Sequence, residues 1–226
     1  MPTPPDLHML DDPAAAVGEL LAAQAARGGS IVLTGGSTPG AAYKRAAGLQ
    51  PDWSEVEVWW GDERCVPPDD EQSNYRLAKE TLLDRLVEAP RAVHRIRGEL
   101  QPADAAGELD RSLEGVNLDF LLLGLGPDGH VASLFPGSPQ LTVEDRRATS
   151  GSAGLAPWVE RVTMTMPTLR SARRVVFLVT GEEKAEAVAR AFEGDITPEI
   201  PASLLRLGRV RVEAYLDPSA ASKLEP

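Results

Sequence analysis

The chain has 226 residues, with 34 acidic against 23 basic side chains and a formal net charge of −11 at pH 7. That length is ample for one α/β domain with a buried core. A 42% hydrophobic, 25% charged composition excludes disordered, collagen-like and disulfide-stapled chains, and the negative field with no offsetting basic run opposes a nucleic-acid partner. Residues 1–10 lack the basic and apolar regions of a secretory signal. No stretch reaches the roughly 18 apolar residues of a membrane span. A cytoplasmic location without membrane contact is therefore expected.

Ala-rich residues 12–27 predict an opening amphipathic helix closed by Gly28-Gly29. Ser30–Thr34 predicts a short buried strand running into Gly35-Gly36-Ser37-Thr38-Pro39-Gly40, and a helix starts near Pro39. Val56–Trp60 is a second strand, and 73–88 reads as a helix capped at Ser73 or Asn74. Cys65 is the only cysteine, so no intrachain disulfide can form. A helix over Pro102–Leu113 precedes the uninterrupted apolar strand Leu118–Leu123. Strands at Arg174–Val179 and Val210–Tyr215 follow, with a helix over Glu182–Phe192 between them. Residues 135–160, rich in Pro, Gly and Ser, read as one long surface excursion.

Strands that are apolar on both faces and alternate with helices imply a mostly parallel sheet with helices on both faces. No linker-like break divides the chain, so a single domain over 1–226 is expected. Ligands of such sheets sit beyond the carboxyl ends of the strands. That rule points to the loops 35–40, 61–68 and 124–137.

In the first loop, glycines and hydroxyls lead into a helix N-terminus. This pattern suits a phosphate, but it lacks the Gly-Lys-Ser/Thr ending of a Walker loop. Pro39 stands where a nucleophile elbow needs glycine. Gly124–Gly129 formally matches GxGxxG. Only six residues separate it from Pro136-Gly137, too few for the helix a pyrophosphate requires, so a nicotinamide dehydrogenase is disfavoured.

Asp128-Gly129-His130 is more informative. Histidine accepts a proton near neutrality, and a carboxylate two residues away can orient it. The plain alternative, a loop histidine making one local hydrogen bond, is outweighed by its place after the most apolar strand. Trp60-Gly61-Asp62-Glu63-Arg64 also ends a strand. Arg64 suits an anionic ligand, whereas Asp62 and Glu63 fit an ion-pair network equally well. Asn74 and Arg76 fit a site rim or a solvated helix face. Lys184, in a first helical turn where a cation is disfavoured, fits a shared anion or a plain exposed lysine. The sequence has no HExxH, no cysteine pair and no histidine cluster, so no metal is expected.

In register, the blocks Leu33–Pro39, Trp60–Arg64, Ser73-Asn74-Tyr75, Gly124–Pro136, Arg161–Thr165, Gly181–Ala185 and Ile200–Ser203 resemble the 6-phosphogluconolactonases. They run in family order over residues 31–205. The resemblance implies a Rossmann-like fold shared with glucosamine-6-phosphate deaminases. It also implies cofactor-free hydrolysis of 6-phospho-D-glucono-1,5-lactone, a small phosphosugar lactone, in the oxidative pentose phosphate pathway. The oligomeric state expected is a monomer or weak homodimer. His130 would be the general base, Asp128 its support, and Arg64 the contact to the acid end or developing oxyanion. Gly36, Ser37, Thr38, Lys184 and Arg161 would hold the phosphate, with Asp62 also on the substrate. Phe135 stands where the deaminases carry the glutamate of an Asn-Glu-Pro ending, which favours the lactonase over a deaminase or isomerase. A non-catalytic sugar-phosphate sensor would not need the base.

Overall fold

The computed structural model describes residues 4–208 and 211–225. Its main sheet has seven strands, β1 (Asp6–Met9), β2 (Gly29–Leu33), β3 (Val56–Trp60), β5 (Ala92–His94), β6 (Phe120–Leu123), β9 (Arg174–Val179) and β10 (Arg211–Leu216). They lie in the order β1-β10-β9-β6-β2-β3-β5, and every neighbouring pair is parallel. A second, antiparallel sheet joins β4 (Asp62–Arg64), β8 (Arg161–Met164) and β7 (Ala148–Gly151) in the order β4-β8-β7.

The helices are α1 (Pro13–Ala25), α2 (Ser37–Leu49), α3 (Asn74–Thr81), α4 (Pro102–Ser112), α5 (Met166–Arg170) and α6 (Ala185–Phe192). Asp12 Oδ1 accepts the Ala15 N–H at 2.9 Å and Pro13 opens α1 at no hydrogen-bond cost, which fixes that start. Right-handed crossovers carry the chain outward from β2 through α2 to β3 and in the opposite direction from β6 to β9 and β10. That rule puts α1, α2 and α3 on one face and α4, α5 and α6 on the other. The core lies between, with Phe120–Leu123 wholly buried in the middle of the sheet. Because β2 and β6 are neighbours whose connections leave in opposite directions, a crevice opens between their carboxyl ends.

The helix expected over 73–88 ends at Thr81, and a 3-10 turn over Leu83–Arg85 follows. Leu82 leaves helical geometry, and the N–H groups of Val87 and Glu88 both donate to Pro51 O, drawing the chain away. Residues 135–160 are not one irregular excursion: β7 lies inside them. The strand expected from Val210 is seen from Arg211 onward, Val210 being outside the described residues. Lys184 closes a 3-10 turn (Glu182–Lys184) ahead of α6 rather than standing inside that helix. Among the described residues no helix is long and apolar enough to cross a membrane.

Candidate active site

The loops after β2, β3 and β6 converge on a cavity of about 400 Å³. The post-β2 loop is held from beneath by Tyr43 of α2, a wholly buried side chain. Its hydroxyl donates to Thr34 O at 2.6 Å and accepts the Thr34 N–H at 2.9 Å. Gly36 follows at φ 109°, ψ 154°, a region closed to residues with a Cβ, and forms the N-cap of α2 with no side-chain cap. The Ser37 and Thr38 N–H groups therefore have no acceptor within the helix, and the helix dipole adds positive potential there. The cavity wall takes in Thr34, Gly35 and Gly36 and stops short of Ser37 and Thr38. Ser37 is exposed, and Thr38 Oγ1 shares a 2.8 Å hydrogen bond with Thr180 Oγ1, joining α2 to the loop after β9. That loop leads to Lys184, which lines the cavity and whose ammonium is pushed below its ordinary pKa by burial, with Glu183 opposing.

The two-residue period of β4 sorts its charges. Asp62 and Arg64 line the cavity, while Glu63 serves the first turn of α3. Its carboxylate accepts from Arg64 N, Asn74 N, Tyr75 N and Ser73 Oγ at 2.7–3.1 Å. Asp62 accepts Ser133 Oγ at 2.6 Å and Asn74 Nδ2 at 3.3 Å. Arg64 Nη1 donates to Gln72 O at 2.7 Å and Asn74 Oδ1 at 2.6 Å. Asn74, 1% exposed, is thus the link between Arg64 and Asp62, and sequence reasoning had given it no preferred role.

After β6 the chain makes a tight loop. Gly129 N donates to Gly126 O at 2.9 Å, Gly126 N to His130 O at 3.0 Å, and His130 N to Asp128 Oδ1 at 3.1 Å. Ala202 N donates to Gly129 O at 3.0 Å, which ties the loop to the turn Pro201–Leu207. His130 Nδ1 lies 2.6 Å from Asp128 Oδ1. An ionised carboxylate can only accept, so Nδ1 carries the hydrogen, and it is the neutral imidazole that offers a lone pair at Nε2. Burial pushes the Asp128 carboxyl up, but the hydrogen bond and charge of His130 outweigh it and hold the group below its ordinary range. His130 lines the cavity, and Asp128 stands behind it. The Phe135 ring lies 4.5 Å from the imidazole, centroid to centroid.

Arg161, on β8, completes the wall at 4% exposure. Its Nη2 donates to Pro157 O at 2.9 Å, and Leu155 and Ala156 close that side of the cavity. Ser133 lies in the Gly124–Pro136 block without a role assigned to it there, and Leu155 and Ala156 carried no signal in the sequence, being ordinary residues of a loop that folds back only in three dimensions. Among the described residues no group of three or more His, Cys, Asp or Glu could hold a metal.

Arg64, Arg161 and Lys184 thus face one cavity that holds a supported histidine, in a chain of net charge −11. Residues 8–213 match the family described as glucosamine-6-phosphate isomerases/6-phosphogluconolactonase. The 6-phosphogluconolactonase of Streptomyces coelicolor is 36% identical over 97% of this chain and 92% of its own length. That of Mycobacterium tuberculosis is 37% identical over 92% of this chain and 90% of its own. The structure of 6-phosphogluconolactonase from Trypanosoma brucei is similar at a TM-score of 0.85 and 29% identity, over 98% of this chain and 99% of that one. Fold, loops and sequence agree, and the chain belongs to the glucosamine-6-phosphate isomerase/6-phosphogluconolactonase family.

Proposed function

We infer that this chain hydrolyses 6-phospho-D-glucono-1,5-lactone to 6-phospho-D-gluconate, in the oxidative pentose phosphate pathway. The observation that carries the reading is the Asp128–His130 pair opening onto a cavity lined by three cationic side chains. His130 Nε2 takes a proton from water as the oxygen attacks the C1 carbonyl. The oxyanion that develops is met by Arg64, whose guanidinium is held by Asn74 and Gln72. Collapse breaks the bond from C1 to the ring oxygen, and the imidazolium returns its proton to that oxygen. Asp128 stabilises the imidazolium in between.

The Gly36 end of α2, with Lys184, holds the phosphate and so orients the ring. A δ-lactone is already reactive, so a positioned base worth on the order of 10²–10⁴-fold suffices for much of the acceleration. Phe135 against His130 disfavours the deaminase reading, because an apolar ring cannot relay a proton. We further infer that it works in the cytoplasm, as a monomer or weak homodimer.

The test is hydrolysis of freshly generated lactone above its spontaneous rate, with and without a chelator. Fast, chelator-insensitive turnover is expected. No acceleration, with phosphogluconate binding retained, would leave a sugar-phosphate sensor.

A further inference from the structure

Seven glycines among the described residues have a positive φ, and one other residue, Ala132, joins them at 49°. A Cβ is costly in that backbone because it crowds the neighbouring carbonyl, and glycine removes the cost. Everywhere else among the described residues the chain uses glycine for it. The exception lies in the cavity wall, two positions after His130.

The turn around Ala132 is locked at its other residues. Val131 and Leu134 are wholly buried and pair as an antiparallel bridge, with Leu134 N donating to Val131 O at 2.9 Å. Ser133 N donates to Thr163 Oγ1 of β8 at 3.2 Å, and Ser133 Oγ to Asp62 Oδ2 of β4 at 2.6 Å. A two-residue turn with positive φ at its first central position ordinarily carries glycine there. The neighbours thus dictate the backbone at 132, and the methyl is carried in addition. It faces Gly61, the joint between β3 and β4: a Cβ at position 61 would lie 4.0 Å from it, an ordinary contact. Gly61 is itself fixed, its N–H donating to Leu33 O at 3.0 Å and its carbonyl accepting Met164 N at 2.8 Å. The methyl stands between the loop that carries His130 and the start of the strand that carries Asp62 and Arg64.

We propose that Ala132 is a positioning residue for the reaction. Its Cβ restricts the backbone of the turn, and its methyl sets the spacing between the His130 loop and the start of β4, so that the imidazole and the charged wall keep one mutual geometry. Glycine would make the same turn without strain, but with more backbone states and a gap beside Gly61. Strain of this kind persists only where the surroundings over-determine it, and it collects at sites that need their groups held in place. The role in lactone hydrolysis rests on the lactonase reading; the stiffening of the turn does not.

The experiment compares the full wild-type chain with Ala132→Gly and Ala132→Ser. Glycine adopts φ 49° without cost, so Ala132→Gly should fold, with a melting temperature at or above that of the wild type. Its kcat on freshly generated lactone should nevertheless fall roughly tenfold, within the ~10²-fold that a misplacement of ~1 Å costs, while KM stays within about twofold because the cations are untouched. Ala132→Ser keeps a Cβ and should recover most of kcat. Hydrogen exchange over residues 126–135 should quicken in Ala132→Gly but not in Ala132→Ser, with the rest of the chain exchanging as before. Wild-type kcat in Ala132→Gly overturns the proposal, as does unchanged exchange. So does a joint fall of kcat and melting temperature, the mark of a residue that only supports the fold, or a serine variant no better than the glycine one. A wild type that does not accelerate hydrolysis removes the lactonase reading, and the exchange comparison then decides whether the side chain stiffens the turn.

Discussion

The His130 imidazole is held from three sides. Asp128 takes its Nδ1 hydrogen, the Phe135 ring packs against it, and the Gly126 Cα faces it with no side chain between. A Cβ at position 126 would fall on the ring and 2.8 Å from Asp128 Oδ1. Gly126→Ala should therefore lower kcat while leaving KM near wild type, because it moves the base and not the cations; steady-state kinetics on the lactone check this. His130→Ala should cost on the order of 10²–10⁴-fold in kcat with phosphogluconate binding retained, and wild-type turnover would remove His130 from the mechanism. Asp128→Asn has a signed outcome. The carboxyl is held in its ionised form, so replacing it by an amide removes the counter-charge of the imidazolium. The plateau of the pH–rate profile should therefore fall, because no carboxylate then offsets the charge that the base gains as it takes the proton. An unmoved plateau would leave Asp128 without a role.

Glu63 shows what an element asks of one residue. It is 2% exposed, and its two oxygens accept three backbone N–H groups and the Ser73 hydroxyl, which fixes both the start of α3 and the turn out of β4. Gln offers one acceptor oxygen where the carboxylate offers two. Glu63→Gln should thus destabilise the fold by about 1–3 kcal/mol, the cost of stranded buried donors, and a denaturant titration measures it. An unchanged midpoint would mean that water replaces the lost acceptor. The sequence shows Glu63 only as an acid beside an arginine, because its partners Ser73, Asn74 and Tyr75 are ten or more residues ahead. The same distinction runs through the fold. Val56–Trp60 and Arg174–Val179 are legible as strands because their own side chains are apolar on both faces. The three-residue β4 and β5, and β8 with its partner β7, have too few residues to show a period, and their pairing is set by distant chain. The post-strand loops were legible from the parallel-sheet rule. The opposition of Arg64 and Arg161 was not, since they stand 97 positions apart in the chain.

On the scale of the whole molecule, an acidic chain brings three cations, Arg64, Arg161 and Lys184, to a wall where one ligand can use them. The cavity draws its wall from the loops after β2 and β6, from β4 and β8, and from the approach to α6, so its occupant touches segments that are far apart in the chain. A ligand that binds only this folded arrangement stabilises it by mass action, by about 2.7 kcal/mol at a concentration one hundred times its dissociation constant. For a chain of this size each kcal/mol raises the melting temperature by about 2–4 °C, so saturating 6-phosphogluconate should raise it by roughly 5–10 °C. Lys184→Ala should shrink that shift, because it removes a partly buried ammonium from the phosphate end, and should raise KM more than it lowers kcat. Thermal melts of both proteins with and without ligand separate this from a general loss of stability, which would lower the ligand-free melting temperature and leave the increment intact. A full increment in Lys184→Ala would take the lysine out of the phosphate clamp and leave that end to the first turn of α2 alone.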